Sequence, residues 1–186
     1  MEIKYIPDGT MTEKQQKDVD IIDRICFPGN PEEEFDINTY EWSAPSDGMF
    51  LLFDGERVVG HVTAHKTLTE YNGQEYYLGG FGGLAVLPEY RGKGYARKLA
   101  ESALEKAYEI GVDVACMCVD TESGITDFYQ KLGFEFLNRP AYFINHGNNE
   151  VTDDTVMIMG LNDKGLAGKI LKTDHRFHYG KSKGHW

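Results

Sequence analysis

Arg91, Gly92, Lys93, Gly94, Tyr95 and Ala96 form a short basic stretch, punctuated by glycine, whose residue types suit the binding of an anion. Two glycines can take positive φ without steric cost, so consecutive amides can point the same way and make a concave donor surface. Arg91 and Lys93 add side-chain charge to it. Before it, Leu84, Ala85 and Val86 end an apolar run, and Pro88 stops a strand because it cannot donate to a sheet ladder. After it, Ala96, Leu99, Ala100, Ala103, Leu104, Ala107 and Ile110 recur at the three- and four-residue spacing of one helix face. The helix therefore begins on the glycines, where unpartnered amides and about half a positive charge of macrodipole favour an anion. The stretch lacks both the lysine followed by serine or threonine of a P-loop and the G-x-G-x-x-G dinucleotide pattern. On these residues alone, a plain strand-to-helix connection stands beside phosphate binding.

The flanks narrow the choice. Leu84-Ala-Val-x-Pro88-x-Tyr90-Arg91-Gly-Lys-Gly94-x-Ala96 resembles, nearly position by position, the acyl-CoA pyrophosphate signature of the GCN5-related N-acetyltransferases (GNAT). Phe128-Tyr-Gln-Lys-Leu-Gly-Phe134 is similar to that family's later helix-to-strand junction. The resemblance implies an α/β (α+β) fold with a mixed, mostly antiparallel central sheet of six to seven strands flanked by helices. It implies acetyl-CoA as acetyl donor and CoA as product, with the pyrophosphate on Arg91 to Ala96 and the pantetheine arm along Leu84, Ala85 and Val86. Tyr129 stands at the family's general acid, and the backbone amide of Leu84 is the oxyanion donor that the same likeness implies.

Acetyl transfer from a thioester to an amine needs a neutral amine, a stabilised oxyanion and a proton for the departing thiolate. The base is the least defined of these. Many relatives carry a glutamate on the strand before the cradle, and here Gly82 and Gly83 take that place. Glu75, Glu89, Asp120, a carboxylate of the tail or water stay open as alternatives. Glu122 replaces an asparagine that many relatives use toward CoA.

For the acceptor, Asp153 or Asp154 and then an extension ending in Trp186 are similar in layout to the aminoglycoside 2′-N-acetyltransferases, in which an acidic residue and a terminal tryptophan carboxylate help to bind cationic aminosugars. In the resembled family the region matching Glu32 to Trp42 lies over the acceptor pocket. The expected acceptor residues are therefore Gly82, Gly83, Glu34, Asp36, Asp153, Asp154 and Trp186. The expected function is N-acetylation of a primary amine of a small cationic molecule, an aminoglycoside, aminosugar or polyamine, in a ternary complex. A protein or peptide acetyltransferase and a non-catalytic acyl-CoA sensor are the rivals, the latter kept alive by the missing strand glutamate.

Charge and composition agree with an amine acceptor. The net charge is −11, but residues 162–186 hold six lysines or arginines against Asp163 and Asp174, a net +4, which leaves −15 on residues 1–161. An acidic body opposes nucleic acid, whose binding draws on lysine and arginine, and favours a cationic ligand. Cys26, Cys116 and Cys118 lack a CxxC pair or a histidine at ligand spacing, and His61 with His65 lacks a third ligand, so no metal site is expected. No run approaches the roughly 20 apolar residues of a membrane span, and the start lacks a signal-peptide pattern; a cytoplasmic protein without a membrane partner, monomer or homodimer, is expected.

The elements that must position these residues follow from pattern. Ile3 to Ile6 alternate as a strand, and Thr10 with Glu13 reads as a capping box for a helix to about Phe27, with Val19, Ile22 and Ile25 inside. Met49 to Phe53, Arg57 to Lys66 and Glu75 to Val86 are β-rich and joined by Asp54-Gly55 and Asn72-Gly73 turns. Gly79-Gly-Phe-Gly-Gly83 marks a bulge or a close backbone approach. Gly111 ends the long helix, Val112 to Val119 forms a parallel strand, and Ser123 to Leu132 forms a short helix. Phe134 to Leu137, Ala141 to Ile144 and a closing Thr155 to Leu161 are strands. Residues 1–161 read as one catalytic domain and 162–186 as a basic extension able to fold back on the acceptor site.

Overall fold

A computed structural model describes residues 1–27, 44, 46–184 and 186. Strand β1 (Glu2–Pro7) leads into helix α1 (Glu13–Cys26). The capping spacing occurs twice, two residues apart, and the second copy caps the helix. Gln15 N donates to Thr12 Oγ1 at 3.3 Å, and Gln15 Oε1 accepts from Thr12 N at 2.8 Å. Thr10 instead gives its hydroxyl to Pro7 O at 2.7 Å and closes the strand-to-helix turn. Val19 and Ile22 are buried as expected, whereas Ile25 is exposed at the helix end.

Strands β2 (Gly48–Asp54), β3 (Arg57–Tyr71) and β4 (Gln74–Val86) form consecutive hairpins. Asn72 and Gly73 both have positive φ, 50° and 79°, the two-residue turn whose twist matches the flanking strands. After a 3-10 turn at Pro88–Tyr90 come α2 (Tyr95–Glu109), β5 (Val114–Cys118) and α3 (Thr126–Leu132). β6 (Glu135–Phe136), β7 (Ala141–Ile144), β8 (Glu150–Asp153) and β9 (Val156–Gly160) follow. The chain continues into α4 (Lys164–Lys172) and β10 (Phe177–Lys183). The sequence pattern predicts none of β8, α4 and β10. Helix α4 is capped by Asp163, whose Oδ1 accepts from Leu166 N at 2.7 Å.

The fold is the expected mixed α/β one. Seven strands lie in the order β1-β2-β3-β4-β5-β9-β6, and β4–β5 is the parallel pair, made through the α2 crossover. A second sheet of three strands has the order β10-β7-β8, with β10 and β7 parallel.

Alternation along β4 sends Phe81 to one face and Tyr76, Leu78, Gly80 and Gly82 to the other. On the Phe81 face, α2 buries Leu99, Ala100 and Ala103, and Phe81 packs against Tyr129 and Phe134 at 6.1 and 6.0 Å between ring centroids. On the opposite face, Leu78, Cys116 and Ile158 meet Leu166 and Ile170 of α4 and Phe177 and Tyr179 of β10. Arg139 ties this second layer down, donating to Ile170 O at 2.7 Å and to Tyr71 Oη at 3.0 Å. No helix among the described residues is long and apolar enough to cross a membrane.

Close backbone approach explains one glycine of the expected run. A Cβ on Gly79 would stand 2.6 Å from His65 O and 2.7 Å from Val112 Cγ2. Gly79→Ala is expected to destabilise the protein by about 1–3 kcal/mol, as overpacking does, and to lower Tm by several degrees in a thermal melt. A Tm within about 1 °C of wild type would show that β3 and Val112, ahead of β5, are not packed this tightly.

Candidate active site

The site is built where β4 and β5 separate. Leu78, Gly79 and Gly80 pair with Val114, Ala115 and Cys116, and no later residue of β4 pairs with β5. On its other edge β4 stays paired with β3, but with a shift: Thr63 faces Gly82 and His61 faces Ala85, so β4 carries one extra residue. Gly83 has φ +58° there, the left-handed backbone that a bulge of this kind requires and that glycine adopts without strain. The bulge bends β4 away, leaving the edge of residues 82–86 beyond the reach of β5. Leu84, Ala85 and Val86 lie on this edge, although Val86 O already accepts from Arg91 Nε at 2.9 Å.

The cradle follows directly. Gly92 and Gly94 have φ of 73° and 79°, and Gly94 is the N-cap of α2 without any side-chain cap. Lys98 N donates to Gly94 O at 3.2 Å to open the helix, and the amides before it are the unpartnered donors of a helix start. A Cβ on either glycine would meet nothing within 4 Å, which leaves open space above the amides. The residues present thus fit a diphosphate. Arg91 reaches across to the end of α1, with Nη2 3.4 Å from Cys26 Sγ, and Lys93 Nζ donates to Glu89 O at 3.2 Å. Tyr95 and Ala96 form the first turn of α2.

Beside the cradle lies a cavity of about 390 Å³ lined by Ala96, Ser123, Gly124, Ile125 and Phe128. It runs between the start of α2 and the loop before α3, and its size is that of a small-molecule site. Sequence reasoning placed only Ala96 here; the loop residues carry no pattern that marks them. Tyr129, on α3, is 8% exposed and packs against Phe81, Phe128 and Phe134. Burial pushes its phenol up to about 12. Its hydroxyl has no hydrogen-bond partner among the described residues. A phenol so placed stays protonated at neutral pH.

Trp186 fills the other face of the separation. Its indole stacks on His65 at 5.0 Å and 7°, and Nε1 donates to Cys116 O at 2.9 Å. Its O accepts from Cys118 N at 3.0 Å. Asp153 Oδ1 accepts from Thr155 N and Oγ1, both at 2.6 Å, and the carboxylate helps to hold the Cys118 thiol well above its ordinary range, although burial is the larger cause. Asp153 thus stands near Cys118 at this face; Asp154 is exposed. Glu34 and Asp36 lie outside the described residues.

The open alternatives for the base sit elsewhere. Glu75 pairs with Glu70 at the far end of β4, Glu89 lies 4.0 Å from Arg57 on the surface, and Asp120 Oδ1 accepts from the Glu122 amide. No three His, Cys, Asp or Glu side chains among the described residues are grouped to hold a metal ion.

The model of the acetyltransferase (GNAT) family matches residues 17–134. No curated protein matches the chain in sequence. Among solved structures, a GNAT family N-acetyltransferase (YhbS) from Escherichia coli in complex with CoA is similar with a TM-score of 0.62 and 19% identity, over 99% of this chain and 89% of that one. A probable N-acyltransferase of unknown function from Enterococcus faecalis V583 has a TM-score of 0.56 and 19% identity over 76% of this chain, which spans only 34% of that longer one. A chain of the NatC complex bound to Gag peptide and CoA has a TM-score of 0.52 and 18% identity, over 87% and 99% of the two chains.

Two outcomes test the site itself. Gly94→Ala adds a methyl group where the open space is, so CoA affinity by calorimetry is expected to fall about tenfold, a loss of about 1.4 kcal/mol; unchanged affinity would remove the cradle. The phenol of Tyr129 has a folded pKa of about 12 against an ordinary 10.0, so its contribution to stability is complete below pH 10 and is lost as the pH rises through 12. Tyr129→Phe is therefore expected to flatten the alkaline loss of stability between about pH 10 and 12, and identical slopes in the two proteins would contradict the burial of that phenol.

Proposed function

As the chain belongs to the acetyltransferase (GNAT) family, we propose that it transfers an acetyl group from acetyl-CoA to the primary amine of a small cationic acceptor, with both held at once. Acetyl-CoA supplies a thioester carbonyl that an amine can attack. The amides of Gly92 to Ala96 hold the diphosphate, and the free edge at Leu84 to Val86 aligns the pantetheine arm. The Leu84 amide donates to the carbonyl oxygen as negative charge develops on it. The amine nitrogen bonds to the carbonyl carbon, the carbon–sulfur bond breaks, and Tyr129 gives its proton to the departing sulfur. The proton of the amine leaves by water, since no carboxylate occupies Gly82 or Gly83.

One observation carries this reading: the strand separation at Gly80 and Cys116 is flanked by the glycine cradle and Tyr129 on one side and by Trp186 with Asp153 nearby on the other. Two substrates can then meet through the sheet from opposite faces. The acidic body of residues 1–161 and Asp153 support a cationic acceptor, an aminosugar or a polyamine.

The test is thiol release from acetyl-CoA across aminosugars, polyamines and peptides. Release with a cationic small molecule is expected; release with peptides alone would replace it by a peptide acetyltransferase. Tyr129→Phe is expected to lower kcat by about 10²-fold or more, the usual worth of a positioned acid, with acetyl-CoA affinity within about twofold. A protein that binds acetyl-CoA tightly and releases no thiol with any amine would be a sensor instead.

A further inference from the structure

A second cavity takes no part in the site described above. It holds about 300 Å³ at the turn from β1 to α1 and the start of β2, with Ile6, Asp8, Met11, Gln16, Ser46 and Met49 in its lining. These groups suit a cation carried on an apolar chain. Asp8 Oδ1 accepts from Ser46 Oγ at 3.3 Å, and Gln16 Nε2 donates to Asp20 Oδ1 at 2.8 Å, so carboxylate and amide oxygens remain as acceptors. Partial burial raises the Asp47 carboxyl above its ordinary range, against Lys66, and the Asp8 charge adds to the rise, so two carboxylates share the field at this end of the sheet. Ile6, Met11 and Met49 supply the apolar part of the lining.

Sheet register connects this cavity to the strand separation. Ile6, Met49, Thr63 and Gly82 pair in succession across β1, β2, β3 and β4, and directly paired residues lie on the same face. The rows on either side are covered. In one, Leu51 and His61 are buried, and His61 Nε2 lies 3.0 Å from Asp23 Oδ1 of α1. In the other, His65 is buried against the Trp186 indole, with ring centroids 5.0 Å apart. Between them Ile6, Met49, Thr63 and Gly82 stay half-buried, and Gly83 is exposed. An accessible strip thus crosses the sheet from the cavity to the point where β4 leaves β5. From Gly82 it spans two strand spacings to Met49 and three to Ile6, about 10–14 Å.

We propose that the cavity at Asp8 is a second cation subsite of the acceptor, holding the far ammonium of a straight-chain polyamine whose near amine stands at the strand separation. This rests on the acetyl-transfer reading above and narrows its acceptors to polyamines. Apart from the Thr63 hydroxyl, the strip presents aliphatic side chains and glycine, which suit methylene groups and leave the hydroxyls of a sugar without partners. An extended chain covers the span in about eight to twelve bonds. Diaminobutane is too short to reach both ends, and diaminooctane is long enough.

The experiment compares kcat/KM for diaminooctane, diaminobutane, octylamine and an aminosugar, with calorimetric binding of diaminooctane to the CoA-loaded protein measured alongside. Wild type is expected to prefer diaminooctane to each of the others by about tenfold or more, the effect of one hydrogen bond to a charged group. Asp8→Asn, which can still accept from Ser46 but loses the charge, is expected to raise KM for diaminooctane about tenfold, to weaken its binding by the same factor and to bring its preference over octylamine close to one. Should Asp8→Asn fail to fold, Met49→Lys, which sets a positive charge on the strip, takes its place with the same expected loss. Equal use of diaminooctane and octylamine by wild type, a preference unmoved in the folded variant, or faster release with the aminosugar than with diaminooctane overturns this inference alone. Absence of thiol release by wild type with every amine overturns it together with the reading it rests on.

Discussion

The rest of the structure depends on the point at which a parallel strand pair stops. β4 and β5 share three residues of register and then separate, because the bulge at Gly83 turns β4 aside while β5 runs straight on. Two strand edges are thereby exposed inside the protein, where unpaired amides and carbonyls are costly. The two edges are treated differently. Cys116 and Cys118 of β5 are satisfied by Trp186, whereas β4 beyond Gly80 keeps a free edge that leads within six residues into the glycine cradle at the start of α2. The same bend that opens the sheet thus aims β4 at the glycine turn that starts α2, which is why the free edge and the helix start sit together.

Electrostatics at the cradle follow from backbone more than from side chains. Arg91 is engaged with Val86 and Cys26, and Lys93 bends toward Glu89 and the Tyr90 ring, so both shape the loop. The amides that open α2 remain as its directional donors, aided by the helix macrodipole. On the neighbouring helix, desolvation by Phe81, Phe128 and Phe134 keeps Tyr129 protonated far above neutral pH. On the opposite face, burial holds the Cys116 and Cys118 thiols and the Tyr179 phenol uncharged, and Asp153 near Cys118 adds to this.

What could be read from the sequence was local. Pro88, Gly92, Gly94 and the helical spacing after them declare a strand end, a cradle and a helix because each consequence lies within a few residues. The Asn72-Gly73 turn and the Gly133 helix end, with φ of 104°, are of the same kind. The glycine run from Gly79 to Gly83 announces a close approach but not its partner. His65 and Val112 crowd Gly79, Cys116 O crowds Gly80 before Trp186 does, and Trp186, more than a hundred residues away, crowds Gly82. Helix α4 escaped notice because its cap, Asp163, has no glutamate or glutamine three residues on, and β8 because it is four residues long. Thr12 rather than Thr10 caps α1 because two overlapping copies of one motif cannot be ranked without the turn that Thr10 closes. Ser123, Gly124 and Ile125 line the cavity through loop placement alone, which no spacing encodes.

The most direct measurement is amide hydrogen exchange with and without CoA. Slowed exchange confined to Leu84–Val86 and to Gly92–Arg97, with the β2–β3 hairpin at Gly55 unchanged, is the expected result, since the proposed cofactor site draws its backbone bonds from the free strand edge and the helix start. Protection elsewhere with these two segments unaffected would contradict a cofactor site at the strand separation.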